Sequence, residues 1–236
     1  MSHSFGKFIW FEHVSSDADA ARGFYGSLFG WNATVADMGK GGTYYLIQNA
    51  EEGIGGIRRA DAGVPTHWRS SLSGPDVDAA VDAVGGGGGR ILMPPRDYPP
   101  AGRGATLADP FGAVFSIWTN SRGDRPDDRP IAAGDWCWNE LMTPDDAAAL
   151  AFYEKAFGFA HQDFDMGPQG VYHVLAKDGV QRAGLMKCPQ ANMPSAWLPY
   201  VKVADCDACI RQAVTLGARP VMEAMQIDKV GRFCAF

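Results

Sequence analysis

The sequence predicts an α+β protein of four βαβββ units in two tandem modules, residues 1–120 and 135–236, joined by a linker at 121–134. Three observations predict it. First, the chain repeats itself. At a shift of 128 residues, fifteen of the fifty positions between 8 and 57 are identical without a gap, where ordinary residue frequencies give about three. Second, short aromatic-rich runs alternate with one Ala-rich helical stretch per half-module, the order of helices laid on one face of a mixed sheet. Third, the stretch Asn120–Asp135 is rich in Pro, Gly and charge and nearly free of large apolar residues, which is linker composition.

The elements follow in order. Residues 7–14 and 135–142 read as strands. Asp17 and Asp145 are placed to cap helices over 17–29 and 145–157, each closed by Phe-Gly. Three short strands follow at 31–37, 43–49 and 54–59, punctuated by Gly, Asp and Asn. After Pro65 the order recurs: a strand at 66–73, a helix at 76–84 behind Asp76, a strand at 90–93, a Pro-rich loop over Pro94–Gly104, then strands at 103–108 and 112–119. This stretch repeats at a shift of 129, with Trp68 on Trp197, Asp76 on Asp205 and Gly102-Arg103 on Gly231-Arg232. At that shift Phe236 falls on Leu107, so the second module is expected to lack its last strand and to leave a sheet edge unpaired.

Composition excludes several classes. Hydrophobic residues make up 46% and charged residues 20%, so the chain is neither wholly disordered nor fibrous. A net charge of −6 without a Lys/Arg cluster argues against nucleic acid and against an anionic membrane surface as partners. Apolar runs such as Gly112–Trp118 are too short to cross a bilayer, and Met1–Ser4 lacks a signal-peptide layout. Five scattered cysteines, an odd number, suit reduced thiols and a cytoplasmic location. The Cys206–Cys209 pair has no second CxxC and no nearby His, and reads as two small hydrophobes on a helix face.

The βαβββ repeats, the Asp-(x6)-Phe-Tyr-(x3)-Phe-Gly signature at 17–30 and 145–158, and Asp109-Pro-Phe-Gly-Ala before the last strand of the first module resemble the vicinal oxygen chelate superfamily. That superfamily includes glyoxalase I, extradiol dioxygenases and bleomycin-resistance proteins. The resemblance implies two glyoxalase-like modules whose mixed sheets curl into cups. In metal-using members the ligands project into the cup. The resemblance places those positions at Trp10 and Trp138, near Ser70 and Pro199, at Ser116, and within Ile54–Ile57 and Arg182–Leu185. None offers the convergent His, Asp, Glu or Cys set that a divalent ion requires. The five histidines, His3, His13, His67, His161 and His173, form no ligand pair. The expectation is therefore that the family metal is lost and no cofactor is used.

Strand alternation then gives the cup lining. Phe8, Trp10, Glu12 and Val14 share one face, as do Trp136, Trp138, Glu140 and Met142, and Ser116 faces inward with Val114 and Trp118. Tyr44 and Tyr172 alternate with Tyr45 and His173, so one of each pair faces the cup; Tyr45 and His173 are taken as lining residues. The expected ligand site is Trp10, Trp138, Phe8, Trp136, Tyr45, His173, Ser116 and Trp118. Glu12 and Glu140 are candidate catalytic carboxylates. A Glu among indoles is poorly solvated, which suits a general base; carboxylate and π faces together also attract a planar cation; and the same Glu can simply accept hydrogen bonds from its neighbours. Two functions stay open. One is a metal-free protein of the bleomycin-resistance type, monomeric or dimeric, binding a small planar molecule. The other is a glyoxalase- or dioxygenase-like enzyme using Glu12 and Glu140, or a metal site the sequence does not reveal. The Pro94–Gly104 loop reads as either a cover for a cup mouth or a rigid connection, and Gly85–Gly89 reads as a helix C-terminus, not a phosphate loop.

Overall fold

The computed structural model describes residues 5–37, 42–190, 192–228 and 230–236. His3, and Met38-Gly39 of the repeat, lie outside the described residues. The first half of the chain carries β1 (Phe8–Ser15), α1 (Ala18–Phe29), β2 (Asn32–Asp37), β3 (Thr43–Asn49), β4 (Glu52–Arg59), β5 (His67–Ser73), α2 (Val77–Gly86), β6 (Arg90–Tyr98), β7 (Gly102–Ala108) and β8 (Val114–Asn120). The second carries β9 (Trp136–Thr143), α3 (Asp146–Phe157), β10 (Ala160–Asp165), β11 (Val171–Lys177), β12 (Val180–Lys187), β13 (Ala196–Val201), α4 (Cys206–Thr215), β14 (Met222–Ile227) and β15 (Gly231–Ala235). No helix among the described residues is long and apolar enough to cross a membrane.

The repeated aspartates start the helices. Asp17, Asp76, Asp145 and Asp205 each accept a backbone N–H three residues on, from Ala20, Ala79, Ala148 and Ala208 at 2.9–3.0 Å. Each removes one orphan donor of a first turn. The Phe-Gly pairs end α1 and α3, with Gly30 at φ 72° and Gly158 at φ 64°. Helix α2 runs into the glycine stretch as far as Gly86, the C-terminal role expected of it.

The chain folds into two compact units that regroup the halves of the sequence modules. The first takes the described residues through His13 with His67–Pro130 and Cys137–Tyr200; the second takes Val14–Thr66, Ile131–Trp136 and Val201–Phe236. The first unit therefore unites the second βαβββ segment with the third, and the second unit unites the rest of the first with the rest of the fourth, whose opening strands β1 and β13 lie mainly in the first unit. The reason is helix packing. In the first unit α2 lies against α3, and Val77, Val81 and Val84 share one core with Phe152, Tyr153, Phe115 and Leu185. In the second unit α1 meets α4, where Gln212 Nε2 donates to the Ser27 carbonyl at 2.7 Å and Phe24 packs 6.0 Å from Phe236.

Strands β1-β5-β8-β7-β6 are hydrogen-bonded neighbours in that order in the first unit, beside a second layer ordered β10-β11-β12-β9-β13. The second unit holds β2-β3-β4 and the hairpin β14-β15. Both β5·β8 and β9·β12 are parallel, the remaining described pairings antiparallel. The signature residues tie the first unit's core. Buried Asp109 accepts from the backbone N–H groups of Phe111 and Ala113 at 2.9 and 2.8 Å and from Tyr153 Oη at 3.1 Å, and Tyr153 Oη accepts from Trp197 Nε1 at 2.9 Å. Burial raises the Asp109 carboxyl above its ordinary range.

One expected loop is a strand. The Pro-rich stretch after Met93 continues β6 to Tyr98, and only Pro99–Ala101 turns the chain into β7. Strand β6 is the edge of its sheet, where the missing N–H groups of Pro94 and Pro95 cost no ladder bond. The register slips between Met93 and Arg96, a bulge that takes up both prolines. The linker is also more than slack chain. In the first unit Arg182 forks onto both carboxylate oxygens of Asp127 at 2.6 and 2.9 Å, and Lys7 Nζ reaches the same carboxylate at 3.1 Å.

Candidate functional site

The site is built on β9, β11, β12 and β13 of the first unit. Along β9 the side chains alternate. Leu141 is fully buried in the helix-side core, while Trp138 and Glu140 project from the opposite face. Gly184 on β12 pairs with Glu140, and Tyr172 on β11 comes from the same face. Trp138 Nε1 donates to Tyr172 Oη at 2.8 Å. Tyr172 in turn donates to the Glu140 carboxylate, and Tyr200 Oη donates to Glu140 Oε1 at 3.1 Å. An indole, two phenols and a carboxylate thus form one network of hydrogen bonds that converges on Glu140.

Glu140 is only 7% exposed. Burial pushes its carboxyl above the usual range, and the hydrogen bonds from Tyr172 and Tyr200 hold part of that rise back. Both phenols are raised in turn, by burial first and by the Glu140 charge second. The hydrogen-bond partners of this carboxylate are the two phenols, and among the described residues no ion pair to it is found.

Gly184 makes the arrangement sterically feasible. A Cβ there would stand 1.9 Å from Tyr172 Oη and 3.0 Å from Trp138 Nε1. The second unit repeats the relation, with a Cβ on Gly56 falling 1.9 Å from Tyr44 Oη. Both Tyr-Gly pairs are identical across the repeat, whereas Tyr45 faces His173 across it. That identity was the signal separating the two alternating positions.

The structure corrects Tyr45 and His173 accordingly, since both lie on the helix side of their strands. Tyr45 Oη donates to Asp19 of α1 at 2.5 Å under Arg22, whose guanidinium lies 4.9 Å from the ring. His173 Nδ1 lies 2.6 Å from Asp163, and its Nε2 lies 3.6 Å from Asp146 of α3. Phe8 is also drawn elsewhere. Its ring packs 4.6 Å from Trp197 against the first unit's core, because β1 begins there and the apolar neighbour lies on that side. Trp136 belongs to the packing of the second unit, 5.1 Å from Trp31, with its Nε1 donating to the Ile54 carbonyl at 3.0 Å.

Glu12 and Glu140 match in sequence and differ in surroundings. Arg69 on β5 forms an ion pair with Glu12 and donates to Thr106 Oγ1 at 3.3 Å. Thr106 lies 3.4 Å from Ser116, which is buried. At the 129 shift Arg69 corresponds to Leu198, so Glu140 lacks this guanidinium. Trp10 is half-buried two residues before Glu12 on β1. Trp118 lies 5.4 Å from Tyr98 and fills the space above Gly104, so its indole serves packing. A depression of about 350 Å³ beside the β6–β7 turn, lined among others by Asp97, Pro99, Arg103 and Thr119, shares no residue with the Glu140 network. Among the described residues, no group of three or more His, Cys, Asp or Glu converges to hold a metal ion.

Comparison with known proteins agrees with this architecture. A model of the glyoxalase-like domain matches residues 10–118. A Mycobacterium tuberculosis protein named "Putative glyoxylase CFP32" is 34% identical over 95% of this chain and 87% of its own. The anthracycline biosynthesis protein DnrV of Streptomyces peucetius is 32% identical over 88% of this chain and 81% of its own. Among solved structures, the Mn(II)-bound glyoxalase of Novosphingobium aromaticivorans superposes with a TM-score of 0.66 at 16% identity, covering 99% of this chain and 78% of that one. The 2,2',3-trihydroxybiphenyl 1,2-dioxygenase of Sphingomonas wittichii gives 0.61 at 15% identity, over 96% and 83%. With its repeated βαβββ segments and relatives matched over most of their length, this chain belongs to the glyoxalase-like family of the vicinal oxygen chelate superfamily.

Proposed function

We propose that the chain binds a small planar aromatic molecule on the Trp138–Tyr172–Glu140–Tyr200 face of the first unit, without the superfamily's metal. The observation that carries this reading is a 7%-exposed carboxylate held between an indole and two phenols. The indole and phenol faces offer stacking surface, and Glu140 offers a strong acceptor in a poorly hydrated setting. A ligand carrying hydroxyl groups on a planar ring system satisfies both. The name of the Streptomyces relative, anthracycline biosynthesis protein, supports a fused-ring aromatic.

The donor chemistry does not fit the family's divalent ion. The corresponding positions hold Trp10, Trp138, Ser70, Pro199 and Ser116. Glu12 is engaged by Arg69, and Ser70 Oγ donates to Asn139 at 3.1 Å. One carboxylate between two phenols is not the set of three or four donors such an ion requires.

The test is a fluorescence titration with a hydroxylated anthraquinone before and after exhaustive chelation. Binding should quench indole emission equally in both preparations, and Glu140→Gln should weaken it about tenfold, the loss of one charge-assisted hydrogen bond. Binding that vanishes with chelator and returns with Mn²⁺ overturns the metal-free reading. A second reading rests on the raised Glu140 carboxyl, which suits a general base. In that reading Glu140 accepts the carbon-bound proton of a methylglyoxal–thiol adduct. Turnover that survives Glu140→Gln refutes it.

A further inference from the structure

Three thiols meet in the second unit. Cys206 and Cys209 occupy the start of α4, and Cys234 lies on β15. Sequence spacing alone gave the CxxC pair no partner, but the fold brings Cys234 Sγ to 3.5 Å from Cys206 Sγ, both as free thiols. Adjacent residues clamp the same two elements. Arg232 of β15 donates through Nε and Nη2 to both carboxylate oxygens of Asp207 in α4, at 2.9 and 2.8 Å. The clamp holds the two sulfurs face to face, about 1.5 Å beyond an S–S bond of about 2 Å. Burial, then the bond to Cys206, pushes the Cys234 thiol up to about 12. A thiolate so reluctant to form is a poor leaving group, which makes a disulfide at this place resistant to reduction once closed.

We infer that Cys206 and Cys234 form an oxidisable dithiol whose closure staples β15 to α4, with Cys209 left as a free thiol beside it. The oxidant class is a low-molecular-weight disulfide such as oxidised glutathione. The thiolate of Cys206 attacks one sulfur of that disulfide, forms a mixed disulfide and releases one glutathione thiolate. With Cys206 tied up in the mixed disulfide, the Cys206 contact that helps raise the Cys234 thiol is gone; Cys234 gives its proton to solvent, and its thiolate attacks the Cys206 sulfur, forms the intramolecular bond and releases the second glutathione as thiolate. Two protein thiols are oxidised, one glutathione disulfide is reduced, and the two protons given up by the protein thiols pass through solvent to the two glutathione thiolates released.

The experiment incubates the full chain with oxidised glutathione at pH of about 8, alkylates the remaining thiols, and maps the non-reduced peptides. The expected product is a Cys206–Cys234 cross-linked peptide lighter by two hydrogens, with Cys209 alkylated. The unfolding midpoint should rise by roughly 5–10 °C and return on reduction, as for a loop of this length. Cys209→Ser should leave the cross-link and the shift intact, while Cys206→Ser and Cys234→Ser should each abolish both. The inference is overturned if all five cysteines remain alkylatable, if glutathione stays attached as a lasting mixed disulfide, or if the cross-link runs through Cys209, Cys137 or Cys188. Because the map is made on the unsubstituted chain, it decides the matter even where a serine variant folds poorly.

Discussion

Replacing Gly184 with alanine should dismantle the Glu140 network while leaving every polar atom of it in the chain. The added methyl would lie 1.9 Å from Tyr172 Oη, 2.4 Å from Cζ and 3.0 Å from Trp138 Nε1. Strand β12 cannot retreat, since β11 pairs with it on one side and β9 on the other. The Tyr172 ring must therefore swing away. Its hydrogen bond from Trp138 contributes about 1 kcal/mol and its bond to the buried carboxylate about 1.5–3 kcal/mol. Alanine recovers about 0.5–1 kcal/mol over glycine inside a strand. The net cost is about 1.5–3.5 kcal/mol, read as a lower denaturant midpoint at unchanged m-value. Trp138 should shift its emission as its N–H loses the phenol. A double-mutant cycle sharpens the test. In Tyr172→Ala the obstructing ring is gone, so adding Gly184→Ala should cost little more. Full additivity of the two changes, or a Gly184→Ala protein with unaltered stability and emission, refutes the steric argument.

Three further outcomes are expected. Glu140→Gln removes a carboxyl that burial holds above its ordinary range, so stability near neutral pH should hold or rise slightly while ligand binding falls; urea melts of the two proteins at one pH check it. His13 is buried against Trp68, and burial first, then His67, pushes its pKa down to about 4. Its neutral form is the folded one, so stability should be full above about pH 6.5 and fall as pH drops from there toward about 4, by on the order of 3 kcal/mol; His13→Phe should flatten that part of the stability profile. Asp127→Ala leaves Arg182, 4% exposed, without its carboxylate, and should cost about 3 kcal/mol in chemical denaturation. Lys7→Ala, which leaves the Arg182–Asp127 fork intact, should cost clearly less.

The sequence by itself determined the repeat, the helix starts and the family. Identities at shifts of 128 and 129 are local facts of residue type. An Asp that caps a first turn, or a Phe-Gly that ends a helix, acts within a few residues of itself, so these features were legible without a fold. Only the tertiary structure decided how the four segments group and what the paired carboxylates do. Grouping depends on α2 meeting α3 and α1 meeting α4, which is packing between distant stretches. Glu12 and Glu140 occupy equivalent places in the repeat. One is joined to Arg69 from β5 and the other to Tyr172 and Tyr200 from β11 and β13. Tyr172, identical across the repeat, shares the sheet face of Trp138, whereas His173 faces Asp146 of α3, and that placement depends on the sheet and helix packing together. The Cys206–Cys234 contact depended on β15 folding back onto α4. Electrostatic environment and thiol proximity are set by neighbours brought from far along the chain, and residue spacing carries no record of them.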